Sequence, residues 1–295
     1  MSDATAAMAR QITQLGSKQT YHTARLLVDR DLVDDFYRGY AYFRWADDIV
    51  DDPARADSER IAFIKRQRDL IDRLYRQEQP RDMLPQEEIL ACLIQNDRRE
   101  NGGLESFIRN MFAIVEFDAY RKGRLIGEQE LEWYSDRLSR SVTDGLLYFV
   151  GNGHPYVLAP ERYLAAWAAH ITHLLRDMYQ DIADGFINIP REYIAAHGLD
   201  LEQLDSPAVR DWVRQRVKRA RDYFERGKQY LSRIDVLRCK IAGYWYCARF
   251  ESVLDMVEVE QYRLRPEYHE RRNLAAWLRI AWLGITIATN HVFRR

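Results

Sequence analysis

Residues 206–234 read SPAVRDWVRQRVKRARDYFERGKQYLSRI, with apolar positions at Val209, Val213, Val217, Ala220, Phe224, Gly227 and Leu231. The steps alternate between four and three. That spacing lays one unbroken stripe along an α-helix, whereas a strand face repeats every two residues. Ser206 offers an N-cap hydroxyl and Pro207 a ring already set for the first turn. Ile61, Ile64, Ile71 and Leu74 mark a second amphipathic helix, and a third runs through Leu104 to Glu116. Glycine and proline are scarce, at 14 and 8 of 295 residues, and alternating Val/Ile/Thr runs are few. The expected fold class is therefore all-α. Punctuation is local. Pro53 ends a helix after an acidic run, Asn101 to Gly103 form a turn, and loops run from Gly151 to Pro160 and from Gly185 to Pro190. No linker, fixed-period repeat or low-complexity segment interrupts the pattern, so one domain over residues 1–295 is expected.

Composition narrows the function. The chain is 47% hydrophobic and 30% charged, which suits a well-solvated protein with a large core. Its 18 Tyr, 11 Phe and 7 Trp serve mostly as packing between long helices, with some available to line an apolar pocket. A net charge of −1 speaks against a basic nucleic-acid binder. The three cysteines, Cys92, Cys239 and Cys247, form no CxxC pair, which points to a reducing, cytoplasmic setting. The opening MSDATAAMARQ lacks the apolar core of a signal peptide, and no uncharged apolar run of about 20 residues occurs. The nearest approach is Asn273 to Phe293, broken by Arg279. It reads first as a terminal core helix and second as a peripheral membrane contact that would help collect greasy substrates.

Two segments carry the chemistry. YAYFRWADDIVDDP, Tyr40 to Pro53, sets Asp47 and Asp51 four residues apart on one helix face, with Asp48 and Asp52 as a second such pair. HLLRDMYQDIADGFINIPREY, His173 to Tyr193, repeats the spacing with Asp177 and Asp181, followed by Asp184. Carboxylates crowded on one face repel one another, and the more so as water is withdrawn. A divalent cation removes that repulsion. Mg²⁺ takes hard oxygen ligands, keeps several waters and bridges a few carboxylates to substrate phosphates, so two Asp-x-x-x-Asp pairs predict a Mg²⁺ site for a diphosphate. Arg44 and Arg176, three and one residues ahead of their pairs, would complement phosphate charge. A single acidic run would read as a solvated helix end; two runs on apolar helices favour function.

These segments resemble the squalene/phytoene synthase family. The first is similar to its YAxCRxxDDIVDD region, and the second to its RDxxEDxxxGRxYLPxE region, here RDMYQDIADGFINIPRE. The resemblance runs from about Ser17 to beyond Tyr262. It implies an isoprenoid synthase fold with helices around a central apolar cavity, and head-to-head joining of two prenyl diphosphates of the farnesyl or geranylgeranyl class. It implies Mg²⁺ as cofactor, with Mn²⁺ as a substitute. By position it assigns Asp47, Asp51, Asp177 and Asp181 to the metal, and Tyr40, Arg44, Arg176, Ser17 and Lys18 to diphosphate. Tyr134 matches a Tyr implicated in proton handling, beside Arg44 and Arg176 as catalytic groups. Squalene-forming members often use NADPH without a Rossmann site, so the lack of a G-x-G-x-x-G fingerprint leaves NADPH open.

The sequence also departs from the family. The central YSDRLSRSVTDG, Tyr134 to Gly145, has Leu138, Ser139 and Arg140 where the family has small apolar residues, and Thr143 in place of a glycine, followed by Asp144. Polar groups there predict a changed or shortened pocket. His170 and His173 replace an amide pair and, with Asp177, would share one helix face. That makes His173 a candidate ligand and a transition metal conceivable, while hydrogen bonding to carboxylate or diphosphate is the commoner role. Phe250 stands near a family Tyr that contacts phosphate, and Thr20 where an aromatic is frequent. These losses weaken the second diphosphate site and keep open a single-substrate terpene cyclase or prenylation of another acceptor. A non-catalytic assembly factor, which the family includes, would have little use for both Asp pairs.

Overall fold

The computed structural model describes residues 2–97, 102–268 and the positions 284, 286, 287 and 289. The described residues are helical, linked by turns and loops, with no strand among them. In chain order the α-helices are α1 (Ser2–Gly16), α2 (Lys18–Leu27), α3 (Val33–Asp51), α4 (Asp57–Tyr75), α5 (Pro85–Gln95) and α6 (Gly103–Arg121). They continue as α7 (Glu128–Phe149), α8 (Leu164–Arg176), α9 (Met178–Ala183), α10 (Arg191–His197), α11 (Pro207–Ser232) and α12 (Leu237–Val259). The expected all-α class holds. Asn101 of the expected turn and, apart from positions 284, 286, 287 and 289, the segment 273–293 lie outside the described residues. No described helix is long and apolar enough to cross a membrane.

The chain divides into two compact units, Met1–Tyr120 with Arg140–His154, and Arg121–Ser139 with Pro155–Arg295. In the first, α3 packs against α1, α2 and α5, and α4 against α5. Ala41, Tyr42, Ala46, Ile64, Ile89, Leu90 and Leu93 are buried at its centre. Phe107 of α6 lies edge-on to Phe43 of α3, and Gly39 and Gly145 leave the room that its ring occupies. Burying the Ile and Leu side chains contributes about 1.5–3 kcal/mol each, the main term against chain entropy.

In the second unit α8, α11 and α12 pack on one another. All seven stripe residues of α11 are buried, and the Ser206 hydroxyl accepts from the Val209 N–H at 3.4 Å, as an N-cap does. Gly227 permits a close backbone approach: a Cβ there would sit 2.6 Å from the Ala165 nitrogen. Trp212, Val213, Phe224, Leu254 and Val257 form the core beside it.

Candidate active site

In the first unit, α3 stops at Asp51 because Pro53 follows two residues later and restrains the residue before it. The last turn of α3 holds no basic residue, so its acids face the negative end of the helix dipole. The four acids fare differently. Asp48 pairs with Arg44 at 2.6 Å. Asp52 accepts from the Ala54 N–H at 2.9 Å and faces Arg55 at 3.4 Å. Those two are ordinary ion-paired surface acids, and Arg44 is committed to Asp48 rather than to Asp47. Among the described residues no hydrogen bond or ion pair reaches Asp47. Desolvation by the surrounding protein, with Asp51 and Asp118 as like charges, pushes its pKa up to about 7. Asp118, near the end of α6, was not singled out by the acidic runs. It sits four residues after Ile114 and three after Val115, both buried, so it continues the inward face of an apolar helix. That placement is the signal that finds it.

Tyr40 is half-buried on α3, and its hydroxyl lies where Gly16 leaves space, 3.0 Å from the Cβ that any other residue would bring. Ser17 caps α2: its hydroxyl accepts from the Thr20 N–H at 3.2 Å and donates to Thr20 Oγ1 at 2.8 Å. Thr20, read as a lost aromatic, is thus the partner of Ser17. Lys18 opens α2 and is exposed. The positive end of α2 and an exposed lysine make an anion-attracting terminus within this unit.

In the second unit the helix bearing the other acids breaks. Asp177, at φ −101° and ψ 8°, ends α8 and begins α9. Of the expected face of His170, His173 and Asp177, the His173–Asp177 pair holds, with the Asp177 N–H on the His173 carbonyl at 3.0 Å, and the place of His170 is corrected. His173 is exposed, and its Nε2 lies 2.7 Å from Asp177 Oδ2. Arg176 grips the same carboxylate, with Nε at 2.5 Å from Oδ1 and Nη2 on Oδ2. Desolvation would raise the Asp177 pKa, but the hydrogen bonds from Arg176 and His173 outweigh it and hold the group well below the usual carboxylate range. His170 turns elsewhere. It is buried, its ring 5.0 Å from that of Tyr134 and its Nδ1 3.1 Å from Ser135 Oγ. Ser135 donates its one proton to the Leu131 carbonyl, so His170 donates from Nδ1. Burial, then the charges of His173 and Arg121, lower its pKa to about 3, leaving a neutral imidazole.

Asp181 accepts from Asn188 Nδ2 at 2.8 Å, and Arg121 donates to Asn188 Oδ1 at 2.7 Å. The Arg121 guanidinium lies over the ring of Tyr134, at 4.7 Å, and that of Phe186, at 5.0 Å. Asp184 accepts from Gln180 at the exposed end of α9. Phe250 is buried, its ring 6.4 Å from that of His173 and 5.0 Å from Tyr246.

The polar central stretch is neutralised locally. Ser139 donates to the Asp136 carbonyl, Ser141 to the Phe107 carbonyl and Ser106 to Asp144 at 2.5 Å. Each of these hydroxyls finds an acceptor on or beside its own helix, as polar groups withdrawn from water require. Among the described residues no three His, Cys, Asp or Glu side chains close on one point as a preformed metal site would. The acids stand instead in small sets of oxygen donors, one set in each unit.

A squalene/phytoene synthase family model matches residues 15–277. Presqualene diphosphate synthase from Rhodopseudomonas palustris is 27% identical over 191 residues, covering 65% of this chain and 64% of its own length. The chain thus matches just under two thirds of that relative. The 15-cis-phytoene synthase of Synechocystis is 24% identical over 298 positions, covering 94% and 84%. In structure, squalene synthase HpnC from Alicyclobacillus acidocaldarius matches with a TM-score of 0.67 at 22% identity, covering 89% of this chain and 96% of that one. The structural likeness is one of all-helical fold.

Proposed function

Because the chain belongs to the squalene/phytoene synthase family, we propose that it works as one catalytic domain that joins two prenyl diphosphates of the farnesyl or geranylgeranyl class head to head. The observation that carries this reading is the survival of both acidic sets. Asp47 crowds Asp51 and Asp118, whose charges and its own desolvation outweigh the attraction of Arg44, and Asp177 is kept ionised by Arg176 and His173. Uncompensated repulsion at a helix end is costly for folding alone and is the state a cation would relieve.

The donors of each set are hard oxygens, which fit Mg²⁺, or Mn²⁺ in its place. Asp47 and Asp51, with Asp118, would hold it in one set, and Asp177 and Asp181 in the other, where His173 engages through Asp177. Bound there, the ion supplies charge neutralisation to the departing diphosphate. The protein's own groups do the rest in this reading. Ser17 and Lys18 at the start of α2, Tyr40 and Arg44 on α3, and in the second unit Arg176, bind and orient diphosphate oxygens. The C–O bond of one substrate breaks and the diphosphate leaves with the electron pair. The double bond of the second substrate attacks the allylic cation, and loss of one proton closes a cyclopropane. Tyr134 is the group assigned to that proton. Buried aromatic rings exclude water from the cation. The protein works in the reducing compartment that its free cysteines suit.

Phe250 favours a second reading. It puts a ring without a donor beside His173, which suits an enzyme that ionises one prenyl diphosphate and then cyclises it or passes it to another acceptor. The test is a product assay with Mg²⁺ and geranyl, farnesyl or geranylgeranyl diphosphate singly, recording released diphosphate and product mass. A doubled carbon skeleton, lost in Asp47→Ala/Asp51→Ala, is expected. A product of unchanged length would support the second reading. No release from any substrate would count against a self-sufficient synthase.

A further inference from the structure

Arg121 and Asn188 lie outside both acidic runs, yet they are among the most buried polar side chains of the second unit, at 4% and 2% exposure. Their burial is built in by the backbone. The turn after α6 and the turn after α9 lie together through a hydrogen bond from the Gly123 N–H to the Gly185 carbonyl, at 2.8 Å. Both glycines have positive φ, 72° and 91°, which other residues adopt only with strain. This contact brings Arg121 from one segment against Phe186 and Asn188 from the other.

The chemistry of the three groups fixes their polarity. A guanidinium only donates, so Arg121 Nη1 must meet the oxygen of the Asn188 amide, as it does at 2.7 Å. The NH₂ end is thereby turned toward Asp181 Oδ2, at 2.8 Å. The amide has no freedom to flip, because its oxygen would then face a carboxylate. The Arg121 plane is meanwhile held against the rings of Tyr134 and Phe186. A buried guanidinium and amide are expensive where an apolar pair would pack equally well. Their retention calls for a task in which direction matters.

We propose that Arg121 and Asn188 are positioning residues, which aim the Asp181 carboxylate and set the Tyr134 ring in register with it. The inference rests on the reading of Asp181 as a metal-binding carboxylate. Groups that orient a ligand from behind typically change metal affinity or activity by about 10–100-fold when removed.

The test measures Mn²⁺ binding, by electron paramagnetic resonance of the free ion, to the whole protein in the presence of inorganic diphosphate. Wild type is compared with Asn188→Leu, Arg121→Met and, as control, Asp181→Asn. The Mg²⁺ concentration for half-maximal turnover and the substrate KM are recorded beside it. The expected result is weaker Mn²⁺ binding by at least about tenfold in Asn188→Leu and Arg121→Met. The half-maximal Mg²⁺ concentration should rise in parallel while the substrate KM moves little. Arg121→Lys, which keeps the charge but loses the planar fork, should recover only part. If Asn188→Leu does not fold, Asn188→Ser serves, since its shorter hydroxyl cannot reach both partners. A loss of thermal stability with unchanged Mn²⁺ binding, while Asp181→Asn does weaken it, would overturn the inference alone. Unchanged Mn²⁺ binding in Asp181→Asn, or none in wild type, would overturn the metal reading of Asp181 and the inference with it.

Discussion

Asp47 has two carboxylates for neighbours and no bonded cation, whereas Asp48, the next residue, is spent on Arg44. The contrast yields a prediction that separates function from folding. Asp47→Asn should lower product formation by at least about a hundredfold, in line with the loss of a charge-stabilising group. In EDTA the same variant should unfold at a temperature no lower than wild type, because it removes repulsion rather than a bond. Product assay and thermal melts check the two halves. The Asp pairs were legible in the sequence because carboxylates four apart on an apolar helix have few structural reasons to exist. Asp118 and Asn188 were not, since each reaches the acids from a distant segment and no local spacing announces it. His170 misleads for another reason. Spacing puts His173 against Asp177, which the structure keeps, and His170 on the same side, which it does not. His170 is instead a neutral core side chain bonded to Ser135.

At the scale of helices, α11 was readable almost residue by residue, because amphipathic periodicity is imposed by burial of one face. What the stripe could not reveal is why Gly227 belongs to it. Alanine there would gain about 1 kcal/mol of helix propensity. It would also drive a methyl into the backbone at Ala165, 2.6 Å away. We expect Gly227→Ala to destabilise by about 2 kcal/mol, opposite in sign to propensity, as measured by denaturant unfolding. The α4–α5 pair turns on Glu87, which is buried and accepts from Arg66 at 2.7 and 2.6 Å, from Gln67 at 2.6 Å and from the Leu84 N–H at 2.8 Å. Against desolvation, these bonds hold its pKa below the ordinary 4.5. The unfolded chain therefore takes up this proton at higher pH than the folded one. The stabilisation is complete above the ordinary value and is lost as pH falls through the folded one. Glu87→Gln should cost about 2 kcal/mol at neutral pH. It should also flatten the acid limb of stability below about pH 5, as followed by urea unfolding across pH.

For the whole molecule, the all-α class followed from periodicity, while the division into two units left no trace in composition. One of its three boundaries, His154/Pro155, lies in the loop from Gly151 to Pro160; the other two, Tyr120/Arg121 and Ser139/Arg140, fall inside α6 and α7, where the chain needs neither glycine nor proline. A search for linkers finds nothing there because helices carry the chain across. The three free cysteines are all buried, Cys92 in the first unit and Cys239 and Cys247 in the second, and burial pushes the Cys247 thiol up to about 12. Native protein should accordingly react with a thiol reagent such as DTNB at much less than one equivalent, and denatured protein at three. That uneven allotment, one sulfur against two, makes the chain its own stopwatch. Under mild denaturant a single exponential carrying all three labels means the halves open as one event. A burst of one label followed by two, or two followed by one, names the half that yields first without any probe being introduced.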